Sequence, residues 1–207
     1  MSSGRRALTG AALWVAMVTA APPALAQAAA ATGYAERYAA VCAACHGANG
    51  VSALPNTPSL AGQPSFYAIT QLFLFRDGRR DSGPMTAIAK EMSDADLRGY
   101  AEVIGALPPA PPAAPGAPDA QRVARGSVLA QRLHCLGCHG SAAEGTRQVP
   151  RIGGQREDYL LIALRGFRAG TRVGYGPAMT EAMAGIAPTE IEDLAHFLAH
   201  LPVAISP

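Results

Sequence analysis

A five-residue motif that occurs twice constrains this chain more than any other feature of its sequence. Residues 42–46 read CAACH and residues 135–139 read CLGCH, and together they contain all four cysteines. C-x-x-C-H is the attachment signature of c-type haem. Two thiols on one helical turn can each form a thioether with a vinyl group of one porphyrin, and the adjacent histidine can present a nitrogen to the iron. The motifs predict two covalently attached haem c groups, held by Cys42, Cys45, Cys135 and Cys138, with His46 and His139 as axial ligands.

Two other kinds of site use C-x-x-C pairs, a redox-active dithiol and a zinc site. A thioredoxin-like dithiol would need a βαβ pattern around the motif, and the sequence has none. A single zinc could use all four cysteines, but it would leave the histidine after each pair unexplained. The pattern therefore favours haem attachment over both.

The N-terminal stretch has the features of a secretory signal peptide. Two arginines precede an apolar run over residues 7–21, and residues 24–26 read ALA, a small-residue cleavage site. The apolar run is short for a bilayer span and two prolines follow it directly. We therefore expect residues 1–26 to be cleaved after export to the periplasm, which leaves no transmembrane anchor.

The charge balance gives no support to a nucleic-acid partner. The chain has 17 Lys and Arg against 15 Asp and Glu, and the predicted signal peptide contains two arginines and no acidic residue. The mature chain is thus formally neutral, and haem propionates would make it mildly acidic. Nothing in this balance indicates a nucleic acid as a partner.

An internal repeat divides the mature chain into two domains. The sequence PSLAGQ at residues 58–63 matches PRIGGQ at residues 150–155, and further matches continue to the end of each copy. Between the copies, residues 108–120 are nearly all Pro, Ala and Gly, a composition typical of a semi-extended linker. We expect a first domain over residues 27–107 and a second over residues 121–207.

The coarse pattern within each copy is helical, so the predicted fold class is all-α, with a few helices wrapped around one haem in each domain. Apolar residues recur at helical spacing, and Ser93 and Pro188 are typical helix-start residues. The predicted helices span residues 33–42, 66–76 and 94–106 in the first copy and residues 126–135, 158–167 and 188–200 in the second.

The repeat also selects the second axial ligand of each iron. Met85 and Met179 align with each other, each follows a Gly-Pro loop, and they come 39 and 40 residues after their histidines. Met92 and Met183 align with residues that are not methionine, so we expect them in the core. A lone methionine is more often a packing residue, but two at matching positions favour ligation.

The three remaining histidines, His134, His196 and His200, have no histidine counterpart in the first copy. We expect His134 at a haem edge or in solvent, and His196 and His200 on a polar helix face. Ligation of either iron by two histidines is the minor alternative.

Each half resembles a class I cytochrome c domain, and the tandem pair resembles the dihaem cytochrome c4 family over essentially the whole mature chain. The resemblance is carried by the paired C-x-x-C-H motifs, the P-x-[LI]-[AG]-G-Q stretches, a following tyrosine, F-R-x-G-x-R, and G-P-M-T or G-P-A-M-T. It implies two haems on domains packed face to face. It also implies that Pro58 and Pro150 offer a backbone carbonyl to the other ring nitrogen of each axial histidine.

Contacts to propionates or across the domain interface are a further suggestion of the resemblance. The alternative is plain helix packing for the tyrosines and a solvated side chain for the arginines. The residues concerned are Gln63, Tyr67 and Arg76 in the first copy and Gln155, Tyr159 and Arg168 in the second.

A function follows from irons that have both axial positions filled. Such irons offer no vacancy for oxygen or peroxide, so we expect a one-electron carrier and not an enzyme such as a dihaem peroxidase. The resemblance implies transfer at the membrane surface from a quinol-oxidising complex to a terminal oxidase. The alternative is the cytochrome subunit of a periplasmic dehydrogenase. Val103 stands where the second copy has Phe197, so we expect looser packing in the first domain. Gly50 and residues 141–143 also differ between the copies, so we expect different surroundings for the two irons and unequal haem potentials.

Overall fold

The computed structural model describes residues 33–110, 117–173 and 176–202. Within these ranges every regular element is a helix, and no strand is present. The predicted all-α fold class is confirmed. The predicted signal peptide, residues 1–26, and the central part of the predicted linker, residues 111–116, lie outside the described residues. In the described ranges, no helix is both long and apolar enough to span a bilayer.

The described residues of the first domain form four helices. Helix α1 covers residues 33–46, with a π-helical turn at Tyr38–Cys42 and a last turn at Ala43–His46. The others are α2 (Ser65–Arg76), α3 (Pro84–Lys90) and α4 (Asp94–Ala106). Helix α4 begins as predicted, because the Ser93 hydroxyl accepts from the Asp96 amide at 3.2 Å while the Asp96 carboxylate accepts from the Ser93 amide at 2.9 Å.

The second domain repeats this arrangement with five helices among its described residues. They are α5 (Ala120–Arg132), α6 (Cys135–His139), α7 (Glu157–Arg168), α8 (Ala178–Met183) and α9 (Pro188–Ala199). Proline at the start of α9 costs no hydrogen bond, since the first amides of a helix have no partner within it.

The two haem motifs are reached by different backbone paths. In the first domain the helix continues into the motif through the wide turn at Tyr38–Cys42. In the second domain the predicted continuous helix is wrong: α5 ends at Arg132, and His134 adopts a left-handed conformation with φ of 53° before α6 begins. The two copies have the same number of residues between the aligned glycines, Gly33 and Gly126, and their haem motifs. The first copy accommodates them with a π-helical turn, and the second with a break in the helix.

Each domain has its own apolar core beside its haem motif. In the first domain Tyr38, Leu72, Leu97, Tyr100 and Ile104 are buried together. The second core is larger, and its most deeply buried side chains include Met183, Ile191, Leu194 and Leu198. Cys42 and Ala43 pack against the first core and Cys135 packs against the second, so each core contacts the haem motif of its own domain.

Candidate haem sites and the domain interface

The cysteines of the two motifs have the same environment in both domains. None of the four is in a disulfide, and Cys42 and Cys135 are partly buried whereas Cys45 and Cys138 are exposed. Burial raises the pKa of Cys42 to about 11 and also raises the pKa of Cys135. Each motif therefore presents one inner and one outer thiol from the same helical turn.

The two motif histidines are buried and have a defined tautomer. His46 and His139 are each 6% exposed. Nδ1 of His46 donates to the carbonyl oxygen of Pro58 at 2.8 Å, and Nδ1 of His139 donates to the carbonyl oxygen of Pro150 at 2.8 Å. A carbonyl only accepts, so the proton is on Nδ1 and Nε2 keeps its lone pair.

The pKa shifts of the two histidines also favour neutral imidazole rings. Burial lowers the pKa of His46 and of His139, and this effect exceeds the opposing one of the hydrogen bonds to Pro58 and Pro150. Both rings are therefore neutral near pH 7. A neutral imidazole oriented by a backbone carbonyl, next to two cysteines, is a donor set that fits a covalent haem c.

The two aligned methionines occupy equivalent places. Met85 lies in the first turn of α3 and Met179 in the first turn of α8, and each is partly buried against the core of its own domain. Met183 is 1% exposed within the second core, and Met92 packs against the first. The structure thus places Met183 inside the second core, whereas Met92, like Met85, lies partly buried at the edge of the first core.

Two glutamines connect the domains. Gln63 donates from Nε2 to the carbonyl oxygen of Arg151 at 2.8 Å and accepts from the Arg151 amide at 3.2 Å. Gln155 makes the same pair of bonds with Ser59, both at 2.8 Å. Each glutamine is 6% exposed. The loops that follow the two haem motifs therefore pair with each other through buried hydrogen bonds.

Tyr159 is a third interface residue. Its hydroxyl accepts from Arg80 of the first domain at 2.7 Å and from Arg172 of its own domain at 3.2 Å. Burial alone would raise the pKa of Tyr159, but the two guanidinium charges outweigh it and bring the pKa down to about 8. The repeated F-R-x-G-x-R stretch contains both arginines, so it was the sequence signal for this contact.

Among the other residues suggested by the resemblance, Arg76 makes its described contacts within its own domain. Arg76 donates to the carbonyl oxygen of Met92 at 3.1 Å and pairs with Asp94 at 2.8 Å, all within the first domain. Tyr67 is partly buried in α2, and Arg168 is exposed at the end of α7.

Sequence reasoning missed a further part of the interface. Arg156 donates to the carbonyl oxygen of Ser52 at 3.1 Å and pairs with Asp158 at 2.7 Å. The Asp158 carboxylate also accepts from the Asn56 amide at 2.9 Å. Comparison of the copies could not reveal this contact, because the repeat aligns Arg156 with Pro64.

The expectation for His196 is wrong. It does not lie on a polar helix face but is 6% exposed. Its Nε2 accepts from the Asp119 amide at 3.0 Å, so the proton is on Nδ1, which donates to Glu157 at 2.8 Å. Both nitrogens are engaged, which agrees with its exclusion as a ligand. His134 is exposed.

Comparisons with known proteins give the same architecture. A family model described as cytochrome c matches residues 123–202, and one described as cytochrome c oxidase, cbb3-type, subunit III matches residues 28–102. Cytochrome c4 from Pseudomonas aeruginosa is 38% identical over 154 residues, which cover 72% of this chain and 76% of that protein. The chain belongs to the cytochrome c4 family.

Two further relatives widen this comparison. The crystal structure of reduced recombinant cytochrome c4 from Pseudomonas stutzeri matches with a TM-score of 0.75 at 29% identity, covering 83% of this chain and 98% of that one. A thiosulfate dehydrogenase electron acceptor from Thiomonas intermedia is 30% identical over 176 residues, or 80% of this chain and 81% of that protein. Family membership confirms the predicted cofactors and class: two covalent haem c groups in an electron-transfer protein that is not an enzyme.

Proposed function

We propose that this member of the cytochrome c4 family carries single electrons in the periplasm, from a quinol-oxidising complex to a terminal oxidase at the membrane surface. One observation carries the proposal. The loops that hold the Nδ1 atoms of His46 and His139 are bonded directly to each other through Gln63 and Gln155. Two histidine sites are thereby held in one fixed relation, which suits passage of an electron from one domain to the other.

Within each site the proposed roles follow the chemistry of the side chains. Cys42 and Cys45 would hold one haem, and Cys135 and Cys138 the other. Each haem supplies one ferric–ferrous couple when bound. His46 with Met85, and His139 with Met179, would fill the axial positions, and the methionine thioether favours the ferrous state. Filled axial positions keep small oxidants from the iron, and a rigid ligand set needs little rearrangement when the charge changes.

The domain limits and the location are part of the same proposal. A signal peptide over residues 1–26 is followed by domains over residues 27–107 and 121–207, joined by a linker over residues 108–120. Export is supported by the charged, apolar and small-residue regions of the N-terminal sequence. An oxidising periplasm is compatible with cysteines that are consumed by haem attachment.

A second candidate function is favoured by one of the relatives. A protein described as a thiosulfate dehydrogenase electron acceptor aligns over 80% of this chain. The corresponding role here is to accept electrons from a periplasmic dehydrogenase, either as a free carrier or as a bound subunit. The haem sites would be the same and only the electron donor would differ.

The two candidate functions can be distinguished by identifying the proteins that reduce and reoxidise the haems. We expect the ferric holoprotein to be reduced by quinol in membranes that contain a quinol-oxidising complex, and the ferrous form to be reoxidised by membranes with a terminal oxidase. Stopped-flow absorbance of the haem follows both reactions, and inhibitors of each complex are the controls. Reduction by purified thiosulfate dehydrogenase, with none by the quinol-oxidising complex, would instead favour the second function.

A further inference from the structure

Each interface glutamine is bonded to the same peptide group as the motif histidine of the opposite domain. The carbonyl oxygen of Pro58 accepts from His46 at 2.8 Å. The amide of Ser59, which belongs to the same planar peptide unit, donates to Oε1 of Gln155 at 2.8 Å. One peptide therefore stands between an axial histidine of the first domain and a glutamine of the second.

The reciprocal contact is also present. The carbonyl oxygen of Pro150 accepts from His139 at 2.8 Å, and the amide of Arg151 in the same peptide unit donates to Oε1 of Gln63 at 3.2 Å. Both glutamines are 6% exposed, so water competes little for these bonds. The arrangement is repeated across the domain interface with the roles of the domains exchanged.

We propose that Gln155 and Gln63 are positioning residues that act across the interface, each tuning the haem iron of the domain opposite its own. An acceptor on the amide N–H polarises the peptide and makes its carbonyl oxygen more negative. A more negative oxygen strengthens the bond from the histidine Nδ1, and this makes the imidazole a better donor to iron. The ferric state of the opposite haem is stabilised and its potential is lowered.

The two relays differ in strength. The Ser59 amide lies 2.8 Å from Gln155, whereas the Arg151 amide lies 3.2 Å from Gln63, at the long end of the usual range. The effect of Gln155 on the first-domain haem therefore exceeds the effect of Gln63 on the second-domain haem. This inference rests on the proposed axial roles of His46 and His139.

The test compares Gln155→Leu and Gln63→Leu in the holoprotein, with Gln131→Leu on the exposed surface of α5 as the matched control. Potentiometric titration gives both midpoint potentials, and assigned NMR signals of the haem methyls identify the domains. Gln155→Leu is expected to raise only the potential of the first-domain haem. The ferrous–ferric equilibrium of that haem should change by about two- to threefold, which corresponds to about 18 to 28 mV at 59 mV per tenfold change. Gln63→Leu raises only the second, by less, and the control changes neither.

A second readout probes the hydrogen bond itself. The Nδ1 proton of His46 should exchange with solvent faster in Gln155→Leu, and the Nδ1 proton of His139 faster in Gln63→Leu. If a leucine variant does not fold, Gln155→Met and Gln63→Met provide the same crossed comparison, because methionine has nearly the length of glutamine but offers the amide no oxygen acceptor. The opposite haem should then show the larger rise in potential.

The overturning results are specific. Equal shifts of both potentials, or a larger shift of the haem in the mutated glutamine's own domain, would show a purely structural contact. A wild-type spectrum without a methionine–iron charge-transfer band would contradict the proposed ligands instead. The normal band combined with no crossed shift overturns this inference and leaves the proposed function standing.

Discussion

In each domain the first helix packs across the last helix, α1 across α4 in the first domain and α5 across α9 in the second. The glycine that allows the close approach lies on the last helix in the first domain and on the first helix in the second. In the second domain Gly126 of α5 lies against α9, where an added Cβ would collide with the carbonyl oxygen of Asp193. In the first domain the glycine is Gly99, on the last helix, and the ring of Tyr34 from α1 lies over it. The repeat aligns Gly99 with Asp193, so the two copies place their small residue on opposite helices.

The aromatic residues at the two helix crossings also lie on opposite helices. Phe197 packs at the second crossing from α9, and its counterpart Val103 is smaller. The first domain instead has Tyr34, whose ring meets that of Tyr100 at 5.4 Å in an edge-to-face arrangement. Val103 alone therefore suggested a looser crossing than the structure has. What persists between the copies is the close approach of two helices, and not the residues that achieve it.

The largest expected effect concerns Met85 and Met179, the proposed axial ligands that the comparison of the two copies selected. Met85→Ala and Met179→Ala should each abolish the methionine–iron charge-transfer signal of one domain only. The potential of that haem should fall by at least about 59 mV, a tenfold change in its equilibrium. Visible and near-infrared spectra with redox titration measure both effects.

Met92→Leu and Met183→Leu are the controls for this prediction. Leucine nearly conserves the volume of methionine, so these changes should leave both signals in place. An unaltered band in Met85→Ala or Met179→Ala would show that the ligand assignment is wrong.

A smaller effect is expected from adding a methyl group at Gly126, where α5 packs closely against α9. Gly126→Ala forces α5 and α9 apart, because the obstructing atom is backbone, and should destabilise the second domain by about 1–3 kcal/mol. Its repeat counterpart Gly33 has no heavy atom near an added Cβ, so Gly33→Ala should be neutral or slightly stabilising. Denaturant unfolding followed by circular dichroism compares them, and equal losses would contradict the placement of the glycine on opposite helices in the two copies.

At the first crossing the obstruction is a side chain that can turn aside. Gly99→Ala should therefore cost less than Gly126→Ala, about 1–2 kcal/mol. Adding Tyr34→Ala should recover part of that loss, so the double-mutant cycle should give a coupling energy of at least about 0.5 kcal/mol. Strictly additive free energies of unfolding would show that the ring does not occupy the space beside Gly99.

The last expected effect is pH-dependent and comes from Tyr159. The pKa of Tyr159 is lowered to about 8 in the folded state, below the unfolded value of 10.0. The unfolded chain then binds more protons between these values, so stability should rise with pH from about 8 to about 10, by at most about 1.4 kcal/mol per pH unit. This contribution is lost as the pH falls through 8.

Tyr159→Phe should remove this rise, together with the early step in the ultraviolet titration of tyrosine. Tyr38→Phe should retain both, because burial raises the pKa of Tyr38 to about 12 and this tyrosine does not contribute an early step. Persistence of the early step in Tyr159→Phe would assign it to a different group.

Sequence comparison was effective where both copies keep the same task. It aligned the two motif histidines and the pair Met85 and Met179, whose ligation stays a prediction, and the family resemblance supplied the two prolines whose carbonyls orient the histidines. It could not give the backbone path into the second motif, because a π-helical turn and a left-handed residue fit the same spacing. It also missed Arg156 and the burial of His196, since these contacts exist in one copy only and periodicity does not report long-range hydrogen bonds.

The paired glutamines give the interface the symmetry of a two-fold homodimer within a single chain. Residue 63 bonds to residue 151 and residue 155 bonds to residue 59, and the repeat makes these two contacts equivalent. In a homodimer, any substitution at such a position would alter both contacts at once. Covalent fusion of the two copies lets each half change alone, as Ser59 and Arg151 already have, so the two ends of an electron path can be adjusted separately.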